Sequence, residues 1–171
     1  KDEYESREMI GYLGHLSFLY DHLTPVENLL FFAKLYDVKK PHEKIKELLD
    51  IVGLTFYRNE PVRSFSRGML QRLAIARAIL HDPKILLLDE PHTGLDQHAV
   101  QILNDVILRL KKAGVTTVIV THDFPQVIAT CDRAIILKDG RVKEDITFSG
   151  QSVQWLHELY ERQAMDKCGN G

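Results

Sequence analysis

The chain has 171 residues, is 44% hydrophobic and carries a formal net charge of −2 at pH 7. One globular domain with a sizeable core is expected, and the balanced charge gives no support to nucleic-acid binding or to a basic membrane-surface helix. Cys131 and Cys168 are isolated from each other, so neither a disulfide framework nor a zinc site is expected. Such cysteine usage is typical of a protein in a reducing compartment. No apolar stretch approaches the roughly 20 residues that span a bilayer.

The first part of the chain predicts one strand and a pair of helices. Residues 9–13 form a short apolar run that suits a strand. Thr24 can cap a helix that Pro25 opens, and we expect this helix to run to Tyr36. A second helix is expected over residues 42–52, where apolar side chains recur at helical spacing.

A third helix is expected from Ser66, which can cap it, to residues 81–83, which end it. Its apolar face consists of Met69, Leu73, Ala76 and Leu80. The segment from about residue 24 to residue 80 is therefore interpreted as a helical subdomain.

Strands and helices alternate in the second half of the chain. Strands are expected at residues 85–88, 117–120 and 134–137, and helices at residues 99–113 and 125–130. This is the order of βαβ units, so we expect these strands to form a parallel sheet. Asp139-Gly140 indicates a hairpin turn after the last of them, and a final helix is expected at residues 151–163.

Two adjacent carboxylates, Asp89 and Glu90, end the apolar run that begins at Ile85. Such a run predicts a strand that is buried on both faces, and ligands of open α/β sheets collect where these strands end. Asp89 at this edge suits a metal ion, usually Mg²⁺, and Glu90 suits the activation of a water molecule. The alternative is a solvated acidic strand end.

His122 follows the apolar run at residues 118–120 and is therefore expected at the same sheet edge as Asp89. A core or capping role is its alternative. The other histidines without metal-ligand spacing are expected to be solvated surface residues, namely His42, His81, His98 and His157.

Ser66 and Gly68 open the third predicted helix. A helix start with a glycine in its first turn leaves backbone N–H groups free to meet a phosphate at close approach. The segment therefore predicts an anion site, and an ordinary serine-capped helix is the alternative.

These segments and their neighbours resemble the motifs of the ATP-binding subunit of an ABC transporter. The motifs, in order, are His15, Ser66-Arg67-Gly68-Met69-Leu70-Gln71-Arg72, Leu88-Asp89-Glu90-Pro91, Thr93-Gly94-Leu95-Asp96 and Thr121-His122-Asp123. The resemblance implies an α/β P-loop NTPase core with a mostly parallel sheet and a helical subdomain. Residues 11–15, 19–24 and 65–69 are most similar to the haem-exporter ATP-binding subunit of cytochrome c maturation.

The resemblance implies a role for each motif residue. Asp89 corresponds to the carboxylate that binds Mg²⁺, Glu90 to the general base, and His122 to the switch histidine that touches the γ-phosphate of ATP. The signature residues Ser66, Arg67, Gly68, Met69 and Gln71 imply binding to the ATP held by a second ATP-binding subunit in a dimer. Arg67 stands in place of the family's usual first glycine, and Met69 in place of the usual glutamine.

Two further motif positions complete the implied nucleotide site. Asp96 matches the aspartate that contacts the opposite subunit, and it can also cap a helix. His15 stands where the family usually has a glutamine, and an imidazole reaches less far than that amide. Beside it, Leu16, Phe18 and Leu19 are interpreted either as a docking surface for a membrane subunit or as side chains packed within their own domain.

The phosphate-binding loop G-x-x-x-x-G-K-[ST] does not occur in the 171 residues. Since the sequence begins without Met, we expect residues 1–171 to be a single partial ATP-binding domain that hydrolyses ATP negligibly alone. The parent is expected to be a peripheral ATPase at the cytoplasmic face of the membrane. It would bind ATP and Mg²⁺ at two shared sites in a dimer and drive integral membrane permease subunits.

Two other functions remain open at this point. One is an ABC ATPase outside transport, although the 51 positions between His15 and Ser66 leave no room for a long coiled coil. The other is a noncatalytic regulatory or binding partner of an intact ABC cassette, which the presence of both Glu90 and His122 disfavours.

Overall fold

The structure is a computed structural model that describes residues 9–165, so Cys168 lies outside the described residues. The chain divides into two compact units, Lys1–Val120 and Thr121–Gly171. Among residues 9–165, no helix combines the length and the apolar character needed to cross a membrane.

The first unit contains a three-stranded sheet and a set of helices. Its strands are β1 (Ile10–Leu13), β2 (Ile85–Asp89) and β3 (Thr116–Val120). Its helices are α1 (Pro25–Leu35), α2 (Pro41–Ile51), α3 (Arg67–Ile79) and α4 (Gln97–Lys112), with short 3₁₀ helices at Thr55–Tyr57 and Val62–Ser64. The helices and strands predicted for this part of the chain are confirmed to within a few residues.

The caps predicted for α1 and α3 are present. Thr24 Oγ1 accepts a hydrogen bond from the Glu27 N–H at 3.2 Å, and the Glu27 carboxylate accepts from the Thr24 N–H at 2.8 Å. The Thr24 N–H and Thr24 Oγ1 both donate to the Glu27 carboxylate at 2.8 Å, and these two bonds lower the pKa of Glu27. Ser66 Oγ accepts from the Met69 N–H at 3.3 Å. Each cap satisfies a backbone donor that has no partner within its helix.

The sheet of the first unit is parallel, and β2 is its central strand. Leu13 of β1 pairs with Leu88, and Asp89 pairs with Val120 of β3. Gly11 lets α3 approach β1 closely, because a Cβ at this position would lie 2.3 Å from the Ala78 carbonyl oxygen. The predicted parallel sheet is confirmed for these strands.

The prediction that β2 is buried on both faces is wrong. Leu86 and Leu88 are buried, but Ile85 on the opposite face is 37% exposed. Tyr12 and Val118, which flank Leu87 on that face, are also exposed. Helices α3 and α4 pack on the Leu86 side, so among the described residues only one face of the sheet is covered.

The second unit contains β4 (Arg133–Lys138), β5 (Arg141–Thr147), α5 (Phe124–Thr130) and α6 (Val153–Met165). Asp139 and Gly140 both have positive φ, as a tight hairpin turn requires, which confirms the predicted turn. Leu156 of α6 packs on Ile136 and Ile146 of the hairpin.

The prediction that residues 134–137 join the parallel sheet is wrong. In the described part of the chain, β4 pairs only with β5, and this pairing is antiparallel. A strand that follows directly after a tight turn closes the shortest possible loop, so this pairing costs the least chain entropy. The alternation of strands and helices therefore did not fix the partner of β4.

Side chains from α3 and from the residues just after it bond to backbone carbonyl groups on the outer edge of β1. Arg77 Nη2 donates to the Tyr12 carbonyl at 2.8 Å. His81 Nε2 lies 3.2 Å from the Ile10 carbonyl, and it must donate because a carbonyl only accepts. The His81 ring also stacks on Tyr36 at 4.1 Å, so the prediction that His81 is a solvated surface residue is wrong. The two contacts close an edge that would otherwise expose unpaired backbone groups.

The guanidinium of Arg77 also connects β1 to the segment that follows it. It lies 5.6 Å from the centre of the Phe18 ring and 5.4 Å from that of Phe32. Burial lowers the pKa of Arg77, and Tyr36 offsets part of this effect. A half-buried cation with aromatic and carbonyl partners holds its neighbours in one arrangement.

We expect Arg77→Ala to lower the free energy of unfolding by about 2–3 kcal/mol, because it removes a charge-assisted hydrogen bond and two cation–π contacts. Arg77→Lys should recover only part of this loss, since an ammonium lacks the planar fork. Urea unfolding measures both. Arg63→Ala, on an exposed arginine, is the control. Equal effects of Arg77→Ala and Arg63→Ala would contradict this role of Arg77.

Candidate functional site

The carboxyl end of β2 carries the predicted carboxylates. Asp89 is its last residue, and its side chain is 35% exposed. The Glu90 N–H donates to the Val120 carbonyl at 2.8 Å, so the residue after β2 is tied to the end of β3. Both carboxylates therefore lie at the edge of the parallel sheet, where they were predicted.

Glu90 has a left-handed backbone, with φ +48°. This conformation costs a residue with a Cβ about 1–2 kcal/mol. Thr93 supports it, because the Thr93 N–H donates to the Glu90 carbonyl at 3.2 Å and Thr93 Oγ1 donates to Glu90 Oε2 at 3.2 Å. Backbone strain of this kind is often found at functional sites.

His15 lies at the same edge as the carboxylates. Its Nε2 is 3.7 Å from Asp89 Oδ2, and its side chain is 79% exposed. The residue in the position of the family's usual glutamine therefore faces the predicted metal carboxylate.

The segment from His15 to Thr24 is held by side chains of the helices. Asn28 is fully buried, and its amide nitrogen donates to the Tyr20 and Thr24 carbonyls at 3.1 Å each. Its amide oxygen accepts from the Tyr20 N–H at 2.8 Å. Sequence reasoning missed Asn28, since a polar residue within a helix pattern gives no sign that it is buried.

The start of α3 contacts the loop after β2. Gln71 Nε2 donates to the Pro91 carbonyl at 2.9 Å, and Met69 packs partly buried against the core. The side chains of Gln71 and Met69 are thus used within the first unit. Their predicted part in nucleotide binding stays a prediction.

Arg67 lies over Gly94 in the same loop. A Cβ at Gly94 would be 2.6 Å from Arg67 Cζ, so the guanidinium occupies the space that the glycine leaves. Gly68 is different, because a Cβ there would meet only Ala99 and Leu95 at 3.5 and 3.9 Å. Position 94 favours glycine mainly because of its left-handed backbone, with φ +73°, whereas position 68 tolerates a side chain.

Asp96 caps α4, since its Oδ1 accepts from the Ala99 N–H at 2.8 Å. Its predicted contact with an opposite subunit stays a prediction. His92, which sequence reasoning missed, is buried, and its Nε2 lies 2.9 Å from Asn104 Oδ1 on α4. One sign of this structural role was present in the sequence, which is that His92 lies between two of the motifs.

His122 belongs to the second unit and lies two residues beyond the end of β3. Asp123 beside it caps α5, since its Oδ1 accepts from the Gln126 N–H at 3.3 Å. The prediction that His122 shares the edge of Asp89 stays a prediction.

The donor atoms at the end of β2 suit a divalent cation that is held together with a nucleotide. Among residues 9–165, no three His, Cys, Asp or Glu side chains converge to form a complete metal site. Mg²⁺ in nucleotide sites is usually held by one or two protein ligands, with phosphate oxygens and water supplying the others. Asp89 fits this pattern as a carboxylate ligand.

Comparison with known proteins supports the resemblance drawn from the motifs. Residues 1–93 match the family model described as ABC transporter. The chain belongs to the ABC transporter family. The α/β P-loop fold class predicted for this family is confirmed, because a solved structure titled "Structure of ATP binding subunit of ABC transporter" superposes with a TM-score of 0.79. That protein is 28% identical, and the match covers 91% of this chain and 69% of that one.

Comparison with two curated members of the family shows how much of their length this chain covers. The ABC transporter ATP-binding protein NatA of Bacillus subtilis (strain 168) is 40% identical over 146 residues, which cover 83% of this chain and 59% of NatA. The bacitracin transport ATP-binding protein BcrA of Bacillus licheniformis is 38% identical over 149 residues, which cover 86% of this chain and 48% of BcrA. The chain spans about half the length of the curated relatives it matches.

We expect Glu90→Gly to be more stable than Glu90→Ala by about 1 kcal/mol, because only glycine removes the left-handed strain. Both variants lack the carboxylate, so the comparison isolates the backbone. The midpoints of urea unfolding measure the difference. If the alanine variant were equally stable, the strain assigned to Glu90 would be absent.

We expect Gly94→Ala to lower the free energy of unfolding by about 1 kcal/mol, mainly because position 94 has φ +73°. Gly114→Ala is a matched control, since Gly114 has φ +84° and no atom within 4 Å of a built Cβ. The two costs should be similar, because the flexible Arg67 side chain can swing away. The Arg67 Nε–H signal in NMR spectra should shift only in Gly94→Ala, and an unchanged signal would contradict the contact.

Proposed function

We propose that this chain is part of an ATP-binding subunit that hydrolyses ATP to power a membrane transporter. The observation that carries the proposal is the approach of His15 to Asp89, the residue before Glu90, at the carboxyl end of β2. Membership of the ABC transporter family supports it.

In this proposal, Asp89 and Glu90 divide the chemistry between them. Asp89 would hold Mg²⁺ beside the phosphates, where the ion when bound neutralises their charge. Glu90 would accept the proton of the attacking water, and its hydrogen bond from Thr93 Oγ1 orients the carboxylate for that task. His122 would touch the γ-phosphate.

The start of α3 is proposed to contact the ATP of a second ATP-binding subunit. Ser66 caps a 13-residue helix and Gly68 lies in its first turn, and the N-terminus of this helix carries a partial positive charge. Gly68 supports this proposal because the chain's own packing leaves space for a side chain there, so close approach of a ligand is a better reason for a glycine. Arg67 is exposed and adds a positive charge, and Asp96 would contact the same partner.

A membrane permease subunit is proposed to dock beside His15. Leu16 and Phe18 are 68% and 53% exposed, so they offer an apolar surface. Leu19 instead packs against the core of its own unit. The docking surface that we propose is therefore Leu16 and Phe18 without Leu19. This contact would hold the subunit peripherally at the cytoplasmic face of the membrane.

The phosphate loop is proposed to lie in a part of the protein outside these 171 residues. The exposed apolar face of the sheet supports this, since a parallel sheet is normally covered on both faces. The outer edge of β3, which pairs with no other strand in the described residues, supports it as well. Sequencing the reading frame upstream of Lys1 tests the proposal: a strand, a G-x-x-x-x-G-K-[ST] loop and a helix should follow in that order.

The transported substrate is proposed from similarity alone. The variants at residues 11–15, 19–24 and 65–69 support haem export in cytochrome c maturation. The names of BcrA, a bacitracin transport protein, and of a fluoroquinolones export ATP-binding protein of Mycobacterium tuberculosis, 39% identical over 135 residues, support the transport of an antibiotic instead. Loss of holo-cytochrome c after deletion of the gene would support haem, whereas antibiotic sensitivity alone would support the other substrate.

A noncatalytic partner of an intact ABC cassette is the second candidate function. The absence of a phosphate loop from residues 1–171 favours it. ATP-dependent capture of an intact cassette by this chain, without ATP binding by the chain alone, would support this function. A non-transport ABC ATPase would instead show activity that is independent of any membrane subunit.

We expect Glu90→Gln to lower ATP turnover by about 10²- to 10⁴-fold in the protein that contains the phosphate loop, because the amide cannot accept the proton. Nucleotide binding should be retained, since the side chain keeps its size. Phosphate release and fluorescent-nucleotide binding measure the two effects. The control is Glu47→Gln, on an exposed residue of α2. Unchanged turnover in Glu90→Gln would remove Glu90 from the mechanism, and residues 1–171 alone should hydrolyse ATP negligibly.

A further inference from the structure

The side chains of His15 and Asp89 lie close enough together for one bound ion to contact both. The 3.7 Å between His15 Nε2 and Asp89 Oδ2 is too long for a hydrogen bond. Two bonds of about 2.1 Å each from a metal to its ligands span at most about 4.2 Å, so one ion can contact both atoms. The exposure of both side chains leaves the space between them open to an ion from solvent.

We propose that His15 is a direct ligand of the cation held by Asp89, and that this imidazole shifts the metal preference of the site from Mg²⁺ toward Co²⁺ and similar transition metals. The inference rests on the proposed function for the identity of the Asp89 site. An amide oxygen at this position would suit Mg²⁺, whereas an imidazole nitrogen suits borderline metals. The histidine therefore changes which ion the site selects and leaves the carboxylate ligand in place.

The backbone segments that carry His15 and Asp89 are held by contacts with other elements. The segment that follows it is anchored by Asn28 through Tyr20 and by Arg77 through Phe18. Asp89 is fixed by its place in β2, opposite Val120 of β3. Both ligands are thus attached to ordered elements before an ion arrives, which lowers the entropic cost of binding.

The test is a residue-resolved NMR titration of the 171-residue chain with Co²⁺ or Mg²⁺ alone, at about pH 8, where an imidazole is available as a ligand. Co²⁺ is paramagnetic, so its shifts identify the residues beside it even when binding is weak. We expect shifts centred on His15 and Asp89, including the ring nitrogens of His15. ATP is left out, so failure of ATP hydrolysis does not affect this result, and failure of this test leaves the ATPase proposal standing.

The variants separate ligation by His15 from binding at other histidines. His15→Gln should weaken Co²⁺ binding by about tenfold or more, which is the low end of the losses in affinity seen when the surroundings of a bound metal are changed. The same variant should change Mg²⁺ binding by less than about twofold. Asp89→Asn should weaken both metals. His42→Gln, on an exposed histidine of α2, is the matched control. Co²⁺ shifts centred elsewhere, or equal losses of both metals in His15→Gln, would overturn the proposal.

Discussion

The pairing of β2 between β1 and β3 is the constraint on which the site depends. Parallel strands that are in register end at the same edge, so the segments that leave β1 and β2 begin side by side. This brings His15 to Asp89 although the two residues are distant in sequence. The Glu90 N–H extends the same pairing by one bond to Val120, which sets the point where the backbone turns away. Arg77 closes the other edge of β1, so the strand that leads to His15 is held from both sides.

The parts of this structure that follow from local chemistry could be predicted from the sequence. Thr24 and Ser66 cap their helices because a hydroxyl at a helix start has few better partners, and Asp139-Gly140 turns a hairpin because both residues tolerate positive φ. The carboxylates at the end of β2 could also be placed, since an apolar run that stops at acidic residues has one natural position in a parallel sheet. These predictions need no knowledge of distant contacts.

Features that depend on distant partners could not be predicted. The apolar run of β2 gives no sign of which layer covers each face, so the exposure of Ile85 was missed. The hairpin turn at Asp139-Gly140 indicates the antiparallel neighbour of β4, but the alternation of strands and helices does not show that β4 stays out of the parallel sheet. His81 looks like a surface residue in sequence, yet a free strand edge and the Tyr36 ring lie within its reach. In each case the deciding group lies on another element.

Three locally unfavourable features lie close together in the motifs of the candidate site. Glu90 has a strained left-handed backbone, Gly68 weakens the first turn of α3, and the positive charge of Arg67 opposes the helix dipole at the same end. The fold gains nothing from the charge at position 67 or from the glycine at position 68, where a side chain would fit. A bound anion would turn the last two into favourable features, because the cation and the exposed backbone N–H groups would then have a partner. A bound anion would therefore offset the unfavourable features at positions 67 and 68, whereas the backbone strain at Glu90 would remain.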